Sequence, residues 1–329
     1  MVIKMKKQME IIKQNKNWGG EKKNHPYLSV ITPIYNRRLT IKRTIDSIER
    51  QSFRNFEYIL IDDGSTESAD DIIYDFMRNT EIPVLYIKKK NGGVHTARNR
   101  AIICARGELL VNVDSDDELQ PNALETFYRT WESIPNEERS KYREIVAQCS
   151  DQNGARVGTP FPKEINSVEW NEAIKMCEKT KGEHIGCYVT KIMQKNLWPE
   201  PDEVTFVAES ILWKKLESMY RSYFINDMVR IYHTNTEGSY TNNRIHDLQF
   251  YINTVWDRGY RLNHWEIYKN GKQTYLRTLF TYCTYAKLIK RQGKVLPISL
   301  DRKKDVFLSK VIAFPVFLKS LNVEKKMKR

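Results

Sequence analysis

Residues 107–121 read GELLVNVDSDDELQP, and the reading of this stretch decides the fold. Leu109, Leu110, Val111 and Val113 form a short β-rich apolar run, the pattern of a strand buried in a parallel sheet. Asp114, Asp116 and Asp117 then crowd its carboxyl end. Two like charges ~4 Å apart at an effective dielectric near 20 repel by about 4 kcal/mol, so a fold that gathers three carboxylates supplies a cation. A hard divalent ion such as Mg²⁺ or Mn²⁺ suits them, because it takes oxygen ligands and shares them with a diphosphate. The competing reading is a solvated acidic turn that caps a helix beginning near Pro121.

Upstream of that strand the pattern repeats. Leu28, Val30 and Ile31 read as a strand ending at Thr32-Pro33, followed by a helical period over 38–51 with Leu39, Ile41, Ile45 and Ile48 on one side. Residues 58–61 read as a strand ending in Asp62-Asp63-Gly64-Ser65, 69–77 as a helix, 84–87 as a strand and 96–105 as a helix. Four strand and helix alternations predict an α/β fold of β-α-β crossovers, with a mostly parallel, Rossmann-like sheet covered by helices on both faces. Such sheets bind ligands at the carboxyl ends of their strands. The polar segments Thr32 to Asn36, Asp62 to Ser65 and Asp114 to Asp117 all fall there.

In this setting the segments VITPIYN (30–36), QSFRNFEYILIDDGST (51–66), NGGVHTARNRAI (91–102) and ARGELLVNVDSDDELQP (105–121) resemble family 2 glycosyltransferases of the GT-A fold. The resemblance implies a nucleotide-sugar donor, a divalent metal (Mn²⁺ or Mg²⁺) and transfer with inversion at the anomeric carbon. It implies that Asp63 hydrogen-bonds the donor's base, which favours UDP, and that Pro33, Tyr35 and Asn36 form the loop beneath the nucleotide. Arg98 would reach the nucleotide or diphosphate, Asp116 would bind the metal directly, and Asp114 with Ser115 would lie by the ribose or the metal's waters. Asp117 is either a further metal ligand or a helix cap, and His233 either a late metal or diphosphate ligand or a packed histidine. An inverting transfer also needs a base for the acceptor hydroxyl. The segment 206–213, FVAESILW, resembles the family's acidic pair before a helix, with Ser210 standing where the second acid would be. Glu209 is then the candidate base.

Composition bounds the rest. The 329 residues allow one large domain or two ordinary ones, and the formal charge of +13 lies mostly at the ends, since residues 1–26 and 301–329 carry 11 of the 13 net charges. A nearly neutral body argues against a nucleic-acid-binding face. Five cysteines without a close pair suit reduced thiols, and Cys177, His184 and Cys187 lack a fourth ligand for zinc. His246, His264 and His184 earn no role. No stretch has the ~18 to 20 apolar residues of a membrane span, so the expected location is the cytoplasm, at the inner face of the membrane if the basic amphipathic end, residues 306–321 with the lysines after it, lies on anionic lipid. The expected layout is a basic tail over 1–26, the GT-A domain over 27–240 and a helical region over 241–329. The expected function is a metal-dependent inverting transferase acting on a glycan or lipid-linked acceptor in surface polysaccharide synthesis. The alternative is a non-catalytic sugar-nucleotide or glycan-binding protein on the same scaffold. A nucleotidyltransferase would need a glycine-rich phosphate loop where TPIYNRR has none.

Overall fold

The computed structural model describes residues 10–19, 25–162, 182–233, 247–268 and 271–312. The chain divides into two compact units, one of residues Met1–Leu197 with Leu216–Glu237, the other of Trp198–Lys215 with Gly238–Arg329.

The first unit is built on a nine-stranded sheet. In chain order its elements are β1 (Ile11–Gln14), β2 (Leu28–Ile34), α1 (Ile41–Glu49), β3 (Phe56–Asp62), α2 (Asp70–Asn79), β4 (Val84–Lys88), α3 (Val94–Cys104), β5 (Leu109–Asn112), β6 (Glu118–Leu119), α4 (Ala123–Ser133), α5 (Asn136–Arg139), β7 (Tyr142–Ser150), β8 (His184–Val189), α6 (Thr190–Lys195) and, after α7 (Ser210–Glu217), β9 (Arg221–Ile231). The spatial order is β1-β4-β3-β2-β5-β8-β7-β9-β6. The parallel block foreseen from the alternation is β4-β3-β2-β5. Beyond it the sheet is mixed, since β1, β8 and β6 each pair antiparallel with their neighbours.

Alternation along the strands deals two apolar sets to the two faces. Leu28, Val30 and Ile34 of β2, Tyr58 and Leu60 of β3, and Val111 join Ile45 and Ile48 of α1, Ile73 of α2 and Phe127 of α4 in one cluster. The opposite set, Ile31, Ile59, Ile61 and Ile87, is equally buried, and α3 packs against β2 and β3 with Ala97, Ala101 and Ile102 turned inward. Each fully buried Val, Leu, Ile or Phe among them stabilises the fold by roughly 1.5–3 kcal/mol. Pro33 lies inside β2 without disrupting it. The last hydrogen bond toward β5 runs from Val113 N–H to the Ile31 carbonyl, so the ladder on that side ends before Pro33 would have to donate.

Three expectations change. Leu39 was placed on the apolar side of the first helix but is 86% exposed, because the helix starts only at Ile41. Within the expected basic tail, Ile11–Gln14 extend the sheet as an edge strand on β4, and Glu10 forms a bidentate pair with Arg100 of α3. The region after residue 135, which looked irregular, holds the central strands β7 and β8.

The second unit contains α8 (Leu248–Asn263), α9 (Gly271–Arg291) and α10 (Lys303–Val311). The aromatic-rich sequence there is helical core, with Tyr251, Trp256, Leu279 and Tyr282 buried. Gly259 lets the chain approach closely: a Cβ there would lie 2.5 Å from Ile298 Cγ2. Residues 198–215 belong to this unit because Thr205 N–H donates to Asn253, Arg261 to the Ser210 hydroxyl, and the Tyr268 hydroxyl to the Ile211 carbonyl. No helix among the described residues is long and apolar enough to cross a membrane. His246 and residues 313–329, with most of the amphipathic end, lie outside the described residues.

Candidate active site

Strand directions bring the foreseen residues to one edge. β2, β3, β4 and β5 run parallel; β5 and β7 each pair antiparallel with β8, so β7 is parallel to β5, and β9 is parallel to β7. The segments leaving β2, β3, β4, β5 and β9 at their carboxyl ends therefore share a rim. On it stand Asn36, Asp63, Lys89, Asp114 to Asp117 and His233.

Side chains staple these loops together. Asn36 takes a left-handed backbone (φ 51°), which Asn tolerates better than most residues, and its amide oxygen accepts from Thr66 and Glu67 N–H. The loop after β2 and the first turn of α1 also hold the acidic turn: Thr40 donates to the Ser115 carbonyl at 2.8 Å, and the Arg43 guanidinium donates to the Asp116 carbonyl. Ser115 itself is buried. Gly64 (φ 77°) permits the loops after β3 and β4 to touch, since a Cβ there would lie 2.6 Å from Asn91 N.

Asp63 is 3% exposed. One carboxylate oxygen accepts from Lys89 Nζ and from Gly92 N–H, the other from Gly93 N–H at 2.8 Å. Lys89 completes its donors on the Lys90 carbonyl and Thr96 hydroxyl. Burial raises the Asp63 pKa, while Lys89 and the two backbone donors oppose that rise. Asp63 thus latches the turn before α3. Tyr35, by contrast, is 48% exposed, and Pro33 is buried in its strand.

The three acids have different surroundings. Asp114 keeps 42% of its side chain open and accepts from Arg98 Nη2 at 3.1 Å. Burial works against its charge, but Arg98, Arg230 and the Asn112 amide outweigh it and hold its pKa below the ordinary value. Arg98 itself is largely buried. Asp116 is 20% exposed, with Arg37 Nη2 at 3.6 Å. Asp117 neither caps the following helix, whose N-cap is Asn122 without a side-chain bond, nor opens to solvent. It lies 3.5 Å from Arg230 Nη1 and accepts from His233 N–H, and burial pushes its pKa up to about 7 against the pull of Arg230. The His233 ring stands 2.8 Å from Glu118 Oε1.

Among the described residues no group of three or more His, Cys, Asp or Glu side chains is placed to enclose a metal. Asp114 and Asp116 nevertheless fit one, as hard, partly open oxygen donors. A divalent ion of this class is held by one or two carboxylates and completes its shell with substrate phosphates and water. Arg37, Arg43, Lys89 and Arg230 were not singled out by the sequence reading. The basic runs that follow β2 and close β4, Arg37-Arg38 and Lys88-Lys89-Lys90, were the available signal for Arg37 and Lys89.

Glu209 lies in the second unit, immediately before α7, where its carbonyl accepts from Leu212 and Trp213 N–H. Ser210, in the second acid's place, accepts from Arg261, whose charge is met by Asp257 at 2.9 Å. His184 stacks on Phe161.

His95, in the first turn of α3, carries a testable consequence. It is 1% exposed, and neither ring nitrogen has a hydrogen-bond partner among the described residues. Burial, then Lys89 and Arg98, lower its pKa to about 4. The folded state therefore holds it neutral while the unfolded chain protonates near pH 6.5, so the stability it contributes is full above pH 6.5 and is lost as pH falls toward 4. The shift corresponds to about 3 kcal/mol. Denaturant titrations at pH 7 and pH 4.5 should show His95→Gln losing less stability on acidification than wild type; parallel losses would reject the assignment.

Comparison with known proteins follows the same residues. Residues 29–137 match the family described as Glycosyl transferase family 2. Glycosyltransferase GlyG of Streptococcus pneumoniae is 39% identical over 103 residues, 31% of this chain and 34% of that protein. The GalNAc(5)-diNAcBac-PP-undecaprenol beta-1,3-glucosyltransferase of Campylobacter jejuni is 23% identical over 288 residues, covering 84% of this chain and 89% of that protein. The chain spans about a third or less of the length of the first curated relatives it matches. Among solved structures, S. aureus TarS 1-349 in complex with UDP-GlcNAc superposes with a TM-score of 0.54 at 19% identity, over 80% of this chain and 72% of that one. That likeness concerns the fold, an α/β architecture with a large central sheet.

Proposed function

We propose, from the premise that residues 29–137 are a family 2 glycosyltransferase domain, that the protein transfers a sugar from a nucleotide sugar, with UDP as the nucleotide, to a hydroxyl of a glycan or lipid-linked acceptor. The observation that carries this reading is the rim itself: strands far apart in sequence deliver Tyr35, the Asp63 latch, Asp114 and Asp116 to one sheet edge. The TarS complex with UDP-GlcNAc and the undecaprenol-linked substrate named for the C. jejuni relative support the donor and acceptor classes.

In this reading Tyr35 offers its exposed ring to the base, and Asp63 with Lys89 holds the turn before α3. Arg98 and Arg37, which pair with Asp114 and Asp116, would meet the diphosphate. Asp116, with Asp114 beside it, would hold Mn²⁺ or Mg²⁺, which when bound supplies Lewis-acid stabilisation of the departing nucleotide. Asp117 and Arg230 act as a buried pair that fixes the acidic turn. His233 serves through its backbone bond to Asp117 rather than as a ligand.

Glu209 is the base in this scheme, and transfer inverts the anomeric centre. Glu209→Gln should keep donor binding, read by calorimetry, while turnover falls by roughly 10²–10⁴-fold. A turnover within a few-fold of wild type would place the base elsewhere. The enzyme would work in surface polysaccharide synthesis at the cytoplasmic face of the membrane, touching anionic lipid through its basic C-terminal end.

A further inference from the structure

The second unit contains a groove that plays no part in the reaction above. It has a volume of about 620 Å³ and lies along α9, the segment after it, and α10. Its apolar lining includes Ala286, Leu296 and Leu300, while Lys287, Lys290 and Arg291 also line it, and none of the lining residues is acidic. The spacing explains the geometry. Cys283, Lys287 and Lys290 recur at helical intervals on one side of α9, while Leu279, Leu288 and Ile289 are buried. On α10, Val306 and Ser309 line the groove, and nearby Phe307 and Val311 are 67% and 63% exposed beside Lys303, Lys304 and Lys310. Asp305 fixes α10 to α9 by accepting from the Tyr275 hydroxyl, so the wall is anchored.

An apolar trough bordered by three cations is complementary to an amphiphile with an anionic head. We propose that this groove binds the phosphate headgroup and proximal hydrocarbon of an anionic membrane phospholipid. The proposal deepens the membrane contact given above, and it assigns that contact to a built site on α9 and α10 rather than to the tail alone. The cations hold the head near the surface of an anionic leaflet. The apolar lining takes the first methylenes of the chain, whose burial adds to the attraction.

The test uses the full chain and vesicles of phosphatidylcholine with and without phosphatidylglycerol. Co-sedimentation should rise by about tenfold or more with phosphatidylglycerol, and the triple variant Lys287→Glu, Lys290→Glu, Arg291→Glu should abolish the rise. Alkylation of Cys283 by a neutral maleimide, followed on its own peptide, should slow when wild type meets anionic vesicles. Ser309→Trp, which fills the groove without changing charge, should remove that protection. Truncation after residue 312 should leave both effects in place. Equal binding to the two vesicle types would overturn the groove and the membrane contact together. Binding that survives the triple variant but vanishes on truncation would overturn the groove alone, leaving the tail as the contact. Cys283 reacting at one rate with and without bound lipid would also overturn it.

Discussion

Asp116→Asn is expected to abolish the metal-dependent part of nucleotide-sugar binding and to lower turnover by on the order of 10³-fold. A bound dication contributes several kcal/mol to a transition state that places negative charge on the departing diphosphate, and each 1.36 kcal/mol is about a factor of ten in rate. Asn retains the size and one oxygen but not the charge, so the two arginines near the turn would face one carboxylate fewer. The fold should survive, because the Asp116 carboxylate is partly exposed and the turn is held through its backbone carbonyl by Arg43. Calorimetry of UDP with Mn²⁺, beside a melting curve, separates the effects. Unchanged UDP affinity in the folded variant would refute the assignment of Asp116.

Asp63→Ala has the second largest expected effect, and on stability before activity. The carboxylate is the counter-charge of Lys89 and the acceptor for two backbone N–H groups, with both side chains less than a tenth exposed. Removing one partner of such a buried pair typically costs ~3–5 kcal/mol, because the other charge stays buried without compensation. For a unit of this size, that lowers the melting temperature by roughly 10 °C. The double change Asp63→Ala with Lys89→Met should recover much of the loss, since it removes the stranded ammonium. A melting point for Asp63→Ala within ~2 °C of wild type would show that the latch does not hold the turn.

The sequence made the parallel block legible because its strands are runs of Val, Ile and Leu closed by polar turns, and its helices keep an apolar side. β7 and β8 were hidden for a physical reason. β7 buries Arg143, Glu144, Gln148 and Ser150, so it lacks the alternation that marks a strand. Arg143 and Glu144 pair at 2.6 Å, and Ser222 of β9 donates to Glu144. β1 was equally hidden, as four residues of an edge strand with exposed side chains leave no burial pattern. At the rim, Asp114 and Asp116 stood out because three carboxylates fall within four positions directly after an apolar strand. Their cationic partners did not: Arg37 and Lys89 are single members of basic runs, and Arg230 is brought to Asp117 from 113 residues away by the long strand β9. Asp63 was legible as a rim residue but not as an inward-facing one, since the lysine that turns it inward lies on another loop. The division of the chain was displaced for a similar reason. Residues 198–215 join the C-terminal helices through Asn253, Arg261 and Tyr268, contacts that no local pattern announces.

The central claim is that the shared rim of the parallel strands holds a divalent ion against a nucleotide diphosphate. Crystals grown with UDP and Mn²⁺ test it through the anomalous signal of manganese. The account predicts a peak about 2 Å from an Asp116 carboxylate oxygen, a direct ligand distance for such an ion, with the diphosphate completing its shell. UDP bound on another face, or at the rim with no manganese beside Asp116, would contradict it.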